Sequence, residues 1–307
     1  GNVRPPITNA DAAAIVERAY ERGIRFFDTA PYYGYGRSER LVGDTLRGRS
    51  DWVLSTKAGR LLRPRTKPQA AGDQWIDPLP FEHVYDYSYD GVMRSFEDSL
   101  QRLGLDHIDL LLLHDIGSDT HGAETNAELF PIAMQGGYKA LAELRASGAV
   151  KAIGIGVNEW QVLVEAMQHG DWDTFLLAGR YTLLEQESLH TLLPLCERAG
   201  TSIIVGGPFN SGILAGRDTW NYSRAPQPII DRVRRIAAVC DAHGVALPAA
   251  ALAFPLGHAS VASVIPGPRS AAEVDQIVDW FETEIPASLW SDLKTEGLID
   301  PAAPVPA

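Results

Sequence analysis

The 307-residue chain predicts an α/β fold, a (β/α)8 TIM barrel built as a single domain over residues 1–307. Three observations predict it. Short apolar runs of strand type alternate with helix-type runs almost end to end, and repeated βα units require a parallel sheet. The strand runs are rich in Leu, Val and Ile without polar alternation, as in strands buried on both faces. The fingerprint of an open dinucleotide-binding sheet, G-x-G-x-x-G, is incomplete, because Gly154-Ile-Gly156-Val-Asn-Glu lacks the third glycine. A closed barrel is therefore preferred to a doubly wound sheet.

A helix over 9–22 starts at a T-N-A-D cap region and stops at Gly23. A strand over 25–29 follows, then a helix over 38–47 and a strand over 52–56. A long loop precedes a helix over 89–103, ended by Gly104, and a strand over 108–113. Next come a helix over 138–147, stopped by Gly148, a strand over 150–156 and a helix over 159–169. Strand 174–178, helix 188–199 and strand 202–205 continue the alternation. A helix over 229–243, a short segment over 248–254, strand 261–265, and helices over 271–281 and 287–296 complete it. Seven strands are predicted where a closed barrel has eight, so the first barrel strand is expected to precede Gly1. The loop over 59–88 carries four prolines with Trp75, Phe81, Tyr85 and Tyr87. Loops of such length are commonly functional or disordered; this one is expected to form an aromatic substrate wall, with a plain surface loop as the alternative.

Composition narrows the function. A net charge of −12 without a basic run excludes nucleic acid and anionic membrane as natural partners. The two cysteines, Cys196 and Cys240, give no disulfide framework and suit a reducing compartment. No clustered Cys/His spacing predicts a metal, and no apolar run or leader predicts a membrane span or export. The expectation is a cytoplasmic protein acting on small molecules, with the oligomeric state undetermined.

The chemistry gathers at strand ends. Asp28 closes the first strand run, Lys57 the second (V-L-S-T-K) and His114 the third (I-D-L-L-L-L-H), with Tyr33 in the first loop. In a parallel barrel that rim is where catalytic side chains meet. A free phenol ionises near pH ~10, and bringing it toward neutrality takes about 3–4 kcal/mol of differential interaction, which a close ammonium supplies. Lys57 is expected to do this, held by Asp28, while His114 binds the substrate oxygen and Tyr33 acts as general acid or base. Taken singly, each residue also has a structural reading: a salt-bridged Asp or Lys, a satisfied core His, a Tyr33 packed on Tyr32. Three successive strands ending in Asp, Lys and His favour the functional reading.

D-T-A-x-x-Y-G at 28–34, with Lys57 and His114, resembles the aldo-keto reductase superfamily over most of the chain, to about Leu298. The resemblance implies a catalytic tetrad of Asp28, Tyr33, Lys57 and His114, and a nicotinamide cofactor bound in extended form, with Asp28 beside it. Asn158 falls on the asparagine that binds the carboxamide, while Val157 replaces the usual serine and Ala178 the usual glutamine, so carboxamide recognition is either thinner here or shared by Arg180. Gly206, Gly207, Pro208, Phe209, Asn210, Ser211 and Gly212 fall on the pyrophosphate loop, whose small residues admit close backbone approach. The family's nicotinamide-stacking aromatic falls on Gly206, so that stack is lost or supplied from elsewhere. Ile265, Pro266, Gly267, Arg269 and Glu273 fall on the adenosine ribose site. Gly267 and Glu273 replace cations that pair with a 2′-phosphate, so NAD is expected to be preferred, with NADP as the alternative.

Y-D-Y-S-Y-D-G-V-M-R-S, L-L-A-G-R-Y-T-L-L-E-Q and G-G-P-F-N-S-G-I-L resemble the branch of the family that dehydrogenates aldoses and pyridoxal. This implies oxidation of a sugar or other cyclic hemiacetal to a lactone, with Tyr32, Tyr33, His114, Trp75 and Trp160 facing the substrate. The aromatic rings offer stacking surfaces for a sugar or a pyridine. The alternatives are a pyridoxal dehydrogenase, a reductase of aldehydes or ketones on the same tetrad, and a non-catalytic cofactor-sensing subunit.

Overall fold

The computed structural model describes residues 6–68 and 75–306, which divide into two compact units, residues 1–156 with 268–275 and residues 157–267 with 276–307. The first unit begins with α1 (Asn9–Glu21), capped by Thr8, whose hydroxyl accepts from the Asp11 N–H while Asp11 accepts from the Thr8 N–H. That reciprocal pair satisfies two donors a helix start leaves open. There follow β1 (Phe26–Asp28), α2 (Arg37–Leu46), β2 (Val53–Ala58), β3 (Arg60–Pro64), β4 (Phe81–Tyr85), α3 (Tyr89–Leu103) and β5 (Leu110–His114). The segments α4 (Ser118–His121), α5 (Ala123–Ile132), α6 (Tyr138–Ala146) and β6 (Ala152–Val157) close this part of the chain.

Within the first unit, β1, β2, β5 and β6 are parallel neighbours in that order, and the register pairs Asp28 with Ser55, Lys57 with Leu112 and His114 with Gly156. The three predicted rim residues thus stand at the C-terminal ends of adjacent strands. Glu39, fully buried on α2, binds the sheet to α3: it accepts from the Thr56 hydroxyl at 2.8 Å and from Arg102 at 2.5 Å.

The loop predicted over 59–88 is in part an antiparallel hairpin, with β3 paired to β4 from Arg60 opposite Tyr85 to Pro64 opposite Phe81. Prolines at its ends and the absence of polar–apolar alternation in R-L-L-R-P hid it from the pattern. Helices α4 and α5 were also not predicted. A π-turn over Ala133–Gly137 joins α5 to α6, with Pro131 inside α5, so no continuous helical period runs through the segment.

The second unit contains α7 (Trp160–Ala166), β7 (Thr174–Ala178), α8 (Leu192–Ala199), β8 (Ser202–Gly206), β9 (Thr219–Trp220), β10 (Ser223–Arg224), α9 (Gln227–Ala242), α10 (Leu247–Ala253), β11 (Val261–Ile265), α11 (Ala271–Phe281, whose first turn lies in the first unit) and α12 (Ala287–Thr295). Strands β7, β8 and β11 are parallel, with Gly206 paired to Ala178 on one side and Ile265 on the other. The helix predicted over 188–199 is split into a 3-10 turn over Glu187–His190 and α8. Pro194 explains the break: its ring suits a first helical turn but excludes a longer helix running through it. Among the described residues no single helix is long and apolar enough to cross a membrane.

Candidate active site

The four predicted residues of the first unit come together. Lys57 Nζ donates to Asp28 Oδ2 at 2.7 Å and to the Thr29 carbonyl at 2.9 Å, and it lies 5.1 Å from the centroid of the Tyr33 ring. The other Asp28 oxygen accepts from the Ser55 hydroxyl at 2.6 Å, a contact fixed by strand register that no motif announced. The Lys57 side chain is 1% exposed and Asp28 7%. Burial pushes the ammonium down, but Asp28 and then Tyr33 outweigh it and hold Lys57 above its ordinary value. It remains charged at neutral pH. The His114 ring stands edge-on to Tyr33 with centroids 5.8 Å apart. Burial, then Arg60 and Lys57, drive its pKa well below the ordinary 6.5, so it is a neutral imidazole.

The expected aromatic wall is present in part. Trp75 lies edge-on to Tyr32 at 5.3 Å and to Tyr33 at 5.9 Å, and His83 on β4 meets Tyr32 at 4.9 Å. Tyr87 points away from solvent instead: its hydroxyl donates to the His114 carbonyl at 2.7 Å and contacts His121 Nε2 at 3.0 Å. It holds the backbone that carries the histidine. Residues 69–74 of the loop lie outside the described residues.

Two further residues of this site were not singled out from the sequence. Arg60 on β3 is ion-paired with Asp115, and its guanidinium stacks 3.9 Å from the Tyr32 centroid and 5.0 Å from that of Tyr85. Asp115 Oδ2 lies 3.4 Å from His114 Nε2. A basic residue two positions past a short strand, and an acid directly after the strand-end histidine, were the available signals.

In the second unit, Asn158 follows β6 directly. Its Nδ2 donates to the Ala178 carbonyl at 3.3 Å and to the Tyr222 hydroxyl at 3.1 Å. Tyr222 is 75% exposed and sits at the tip of the β9–β10 hairpin, where Asn221 and Tyr222 both have positive φ, 49° and 64°. Two such residues are the usual turn of a two-residue hairpin, but a bulky side chain there is costly. Arg180, expected to share carboxamide binding, is engaged by Glu185 at 3.3 Å and Asn221 at 3.0 Å.

The glycine-rich segment after β8 is shaped by its own side chains. A Cβ on Gly206 would lie 3.0 Å from Leu176 Cδ2 and 3.3 Å from Ala178 Cβ, so an aromatic there would crowd its neighbours. Gly207 has φ +57° with open space around it. Asn210 is buried, accepting from the Thr182 hydroxyl and donating to the Gly179 carbonyl. Ser211 Oγ accepts from the Tyr222 N–H at 3.0 Å, and Phe209 packs edge-on against Trp280. Pro208 and Gly212, the latter with φ +102°, complete the turn. The Asn210 and Ser211 side chains thus brace the loop from within.

At the third predicted segment, Ile265 ends β11 and its carbonyl accepts from the Gly207 N–H at 3.3 Å, with Pro266 and Gly267 following. In the first unit, Glu273 Oε2 accepts from the Arg269 N–H at 2.7 Å, and the Glu273 N–H donates to Ser270 Oγ. Glu273 thus caps the start of α11 as well as carrying a charge. Trp160, predicted to face substrate, opens α7, half-buried, with an indole N–H that finds no partner among the described residues.

Comparison with known proteins bears on both fold and chemistry. The chain is 47% identical over 313 residues to a pyridoxal 4-dehydrogenase of Microbacterium luteolum, covering 97% of this chain and 92% of the relative. It is 40% identical over 310 residues to a D-threo-aldose 1-dehydrogenase of a Pseudomonas species, covering 97% and 92%. The solved structure of an aldo-keto reductase from Bacillus halodurans superposes with a TM-score of 0.71 at 24% identity, over 96% of this chain and 89% of that one. A glycerol dehydrogenase from Gluconobacter oxydans gives 0.71 at 19%, over 95% and 88%. These last two likenesses show the fold, of the (β/α)8 barrel class. The sequence profile of the Aldo/keto reductase family matches residues 1–295, and the chain belongs to that family of enzymes.

Proposed function

We propose that the protein oxidises a cyclic hemiacetal, a sugar of the L-fucose or D-threo-aldose type, at its anomeric carbon to the lactone. One observation carries this reading: a buried, Asp28-paired Lys57 ammonium 5.1 Å from the centre of the Tyr33 ring. An ammonium so placed favours the phenolate, which equips Tyr33 to take the anomeric hydroxyl proton as the carbon gives up its hydride. The neutral His114 imidazole holds the substrate oxygen by a hydrogen bond without adding a charge. Asp28 keeps Lys57 in place and compensates its burial. In the reverse direction Tyr33 returns the proton to a carbonyl oxygen.

A nicotinamide cofactor, when bound, supplies the hydride acceptor. The residues present suit it. Asn158, with both Nδ2 hydrogens given to Ala178 and Tyr222, leaves Oδ1 to accept from a carboxamide NH2. The Tyr222 hydroxyl, accepting from Asn158, retains its proton for the carboxamide oxygen. This pair compensates for Val157 and Ala178, which replace the family's other carboxamide ligands. The absence of a cation at Gly267 and the acid at Glu273 favour NAD, with NADP second.

Pyridoxal is a second substrate reading, supported by the aromatic rings of Tyr32 and Trp75 beside Tyr33, which offer edges and faces to a planar pyridine, and by the Microbacterium luteolum relative. The test is a panel of L-fucose, D-arabinose, pyridoxal and simple ketones with NAD(H) and NADP(H), followed by nicotinamide absorbance. Oxidation of the hemiacetals with NAD at least tenfold more efficient than ketone reduction is expected. Faster ketone reduction, or a tenfold preference for NADP, contradicts the reading.

A further inference from the structure

We propose that Asp115, backed by Arg60, is a subsite for the hydroxyl on the carbon next to the reacting one, so that the enzyme selects 2-hydroxylated hemiacetals. This rests on the function proposed above and specifies its substrate class.

The backbone re-aims Asp115 toward the site. Side chains alternate across a strand, so the residue after His114 would continue to the opposite face. Asp115 instead has φ 51°, the left-handed conformation that Asp tolerates better than bulkier residues. Its N–H is fixed to the Gly156 carbonyl at 2.9 Å. The turn brings Oδ2 to 3.4 Å from His114 Nε2, on the side of the imidazole and not away from it.

Arg60 makes this carboxylate a fixed acceptor. The Arg60 side chain is 4% exposed and Asp115 21%, so the pair is sealed on the arginine side and open on the acid side. Stacking on Tyr32 and Tyr85 fixes the guanidinium plane, and Arg60 Nε has no partner among the described residues. A buried ion pair of this kind is poor evidence for stability, since packed apolar side chains commonly serve as well. Burial raises Asp115 above its ordinary 3.8 and Arg60 opposes the rise. If Asp115 served only to orient His114, it would bond the ring directly. At 3.4 Å the approach falls short of a good hydrogen bond, which leaves Nε2 and the carboxylate side by side as two separate readers.

Their spacing matches a vicinal diol. Gauche oxygens on neighbouring carbons lie about one hydrogen-bond length apart. A substrate whose anomeric oxygen sits on His114 and Tyr33 then presents its neighbouring hydroxyl to Asp115. The hydroxyl donates its proton to the carboxylate, and the pair already neutralised by Arg60 needs no ionic substrate.

The test compares D-arabinose with its 2-deoxy counterpart, 2-deoxy-D-ribose, by kcat/KM with NAD. The wild-type enzyme is expected to favour D-arabinose by about 100-fold or more, because a site built to bond a hydroxyl discriminates strongly against the analogue that lacks it. In Asp115→Asn, and independently in Arg60→Lys, this ratio is expected to fall at least tenfold, chiefly through KM for D-arabinose. NADH binding by fluorescence reports that each variant is folded. Equal use of both sugars by the wild type overturns the proposal while leaving hemiacetal oxidation intact, and so does an equal loss on both sugars in the variants. If the wild type oxidises neither sugar, the function itself fails and this subsite with it.

Discussion

His114 carries its own pH signature. Its imidazole faces Arg60, Lys57 and His83 and lies beside Asp115, and it ionises well below 6.5 in the folded chain. The unfolded imidazole ionises near 6.5, so between the two values the unfolded chain holds more protons. The stability contributed by a neutral buried His114 is therefore present above pH 6.5 and is lost as the pH falls through that window. Asp115 acts in the opposite sense, because its folded pKa lies above 3.8 and its share fades as the pH rises through that higher value. The Tm is expected to fall between pH 7 and pH 5.5, and His114→Asn, which has no group to protonate, is expected to reduce that slope. An unchanged slope in the variant, measured by calorimetry, contradicts a neutral buried imidazole. The histidine was legible from its place at the end of a leucine-rich strand. Its ionisation was not, because Arg60 reaches it through a hairpin that has no periodic signature.

At the level of elements, the β9–β10 hairpin makes a separate claim. Tyr222 keeps a bulky side chain at φ 64°, a conformation that costs about 1–2 kcal/mol for most residues, and Ser211 Oγ and Asn158 hold it there. Such strain persists where surrounding contacts determine it, commonly at ligand clamps. Replacement of Tyr222 by Phe is expected to weaken NADH binding about five- to tenfold, the worth of one net hydrogen bond, without altering the affinity for ADP-ribose, which has no carboxamide. Equal effects on both ligands, or none, contradict the role assigned to the hydroxyl. The sequence showed Gly206, Val157 and Ala178 at positions where the family resemblance implies other residues, and left open whether their contacts are lost or supplied by Arg180 or another residue. The hairpin strands are two residues each, too short for alternation to show, and the partnership of residues 158 and 222 is a product of folding.

Across the whole molecule, all seven predicted strands occur within two residues of their expected ends, because uninterrupted β-branched and leucine runs between helical periods leave little freedom of assignment. The meeting of Asp28, Lys57 and His114 was readable for the same reason: side chains at the ends of adjacent strands are brought together by strand order alone. The aromatic cluster of Tyr32, Trp75 and His83, the Arg60–Asp115 pair and Tyr222 lie on hairpins and turns, where side-chain identity is visible but spatial partner is not. The acidic balance of the chain, −12 overall, agrees with an uncharged sugar as substrate and gives no attraction to phosphorylated ones.

The proposed chemistry depends above all on Tyr33 as the proton carrier beside Lys57. The most direct measurement is the rate of NAD reduction by L-fucose in wild type and Tyr33→Phe, paired with NADH affinity by fluorescence. Tyr33→Phe is expected to lose about 100-fold or more in kcat, in the range of a general acid–base contribution, with NADH affinity within about twofold of wild type. A Tyr33→Phe enzyme that turns over at more than about a tenth of the wild-type rate would contradict that chemistry.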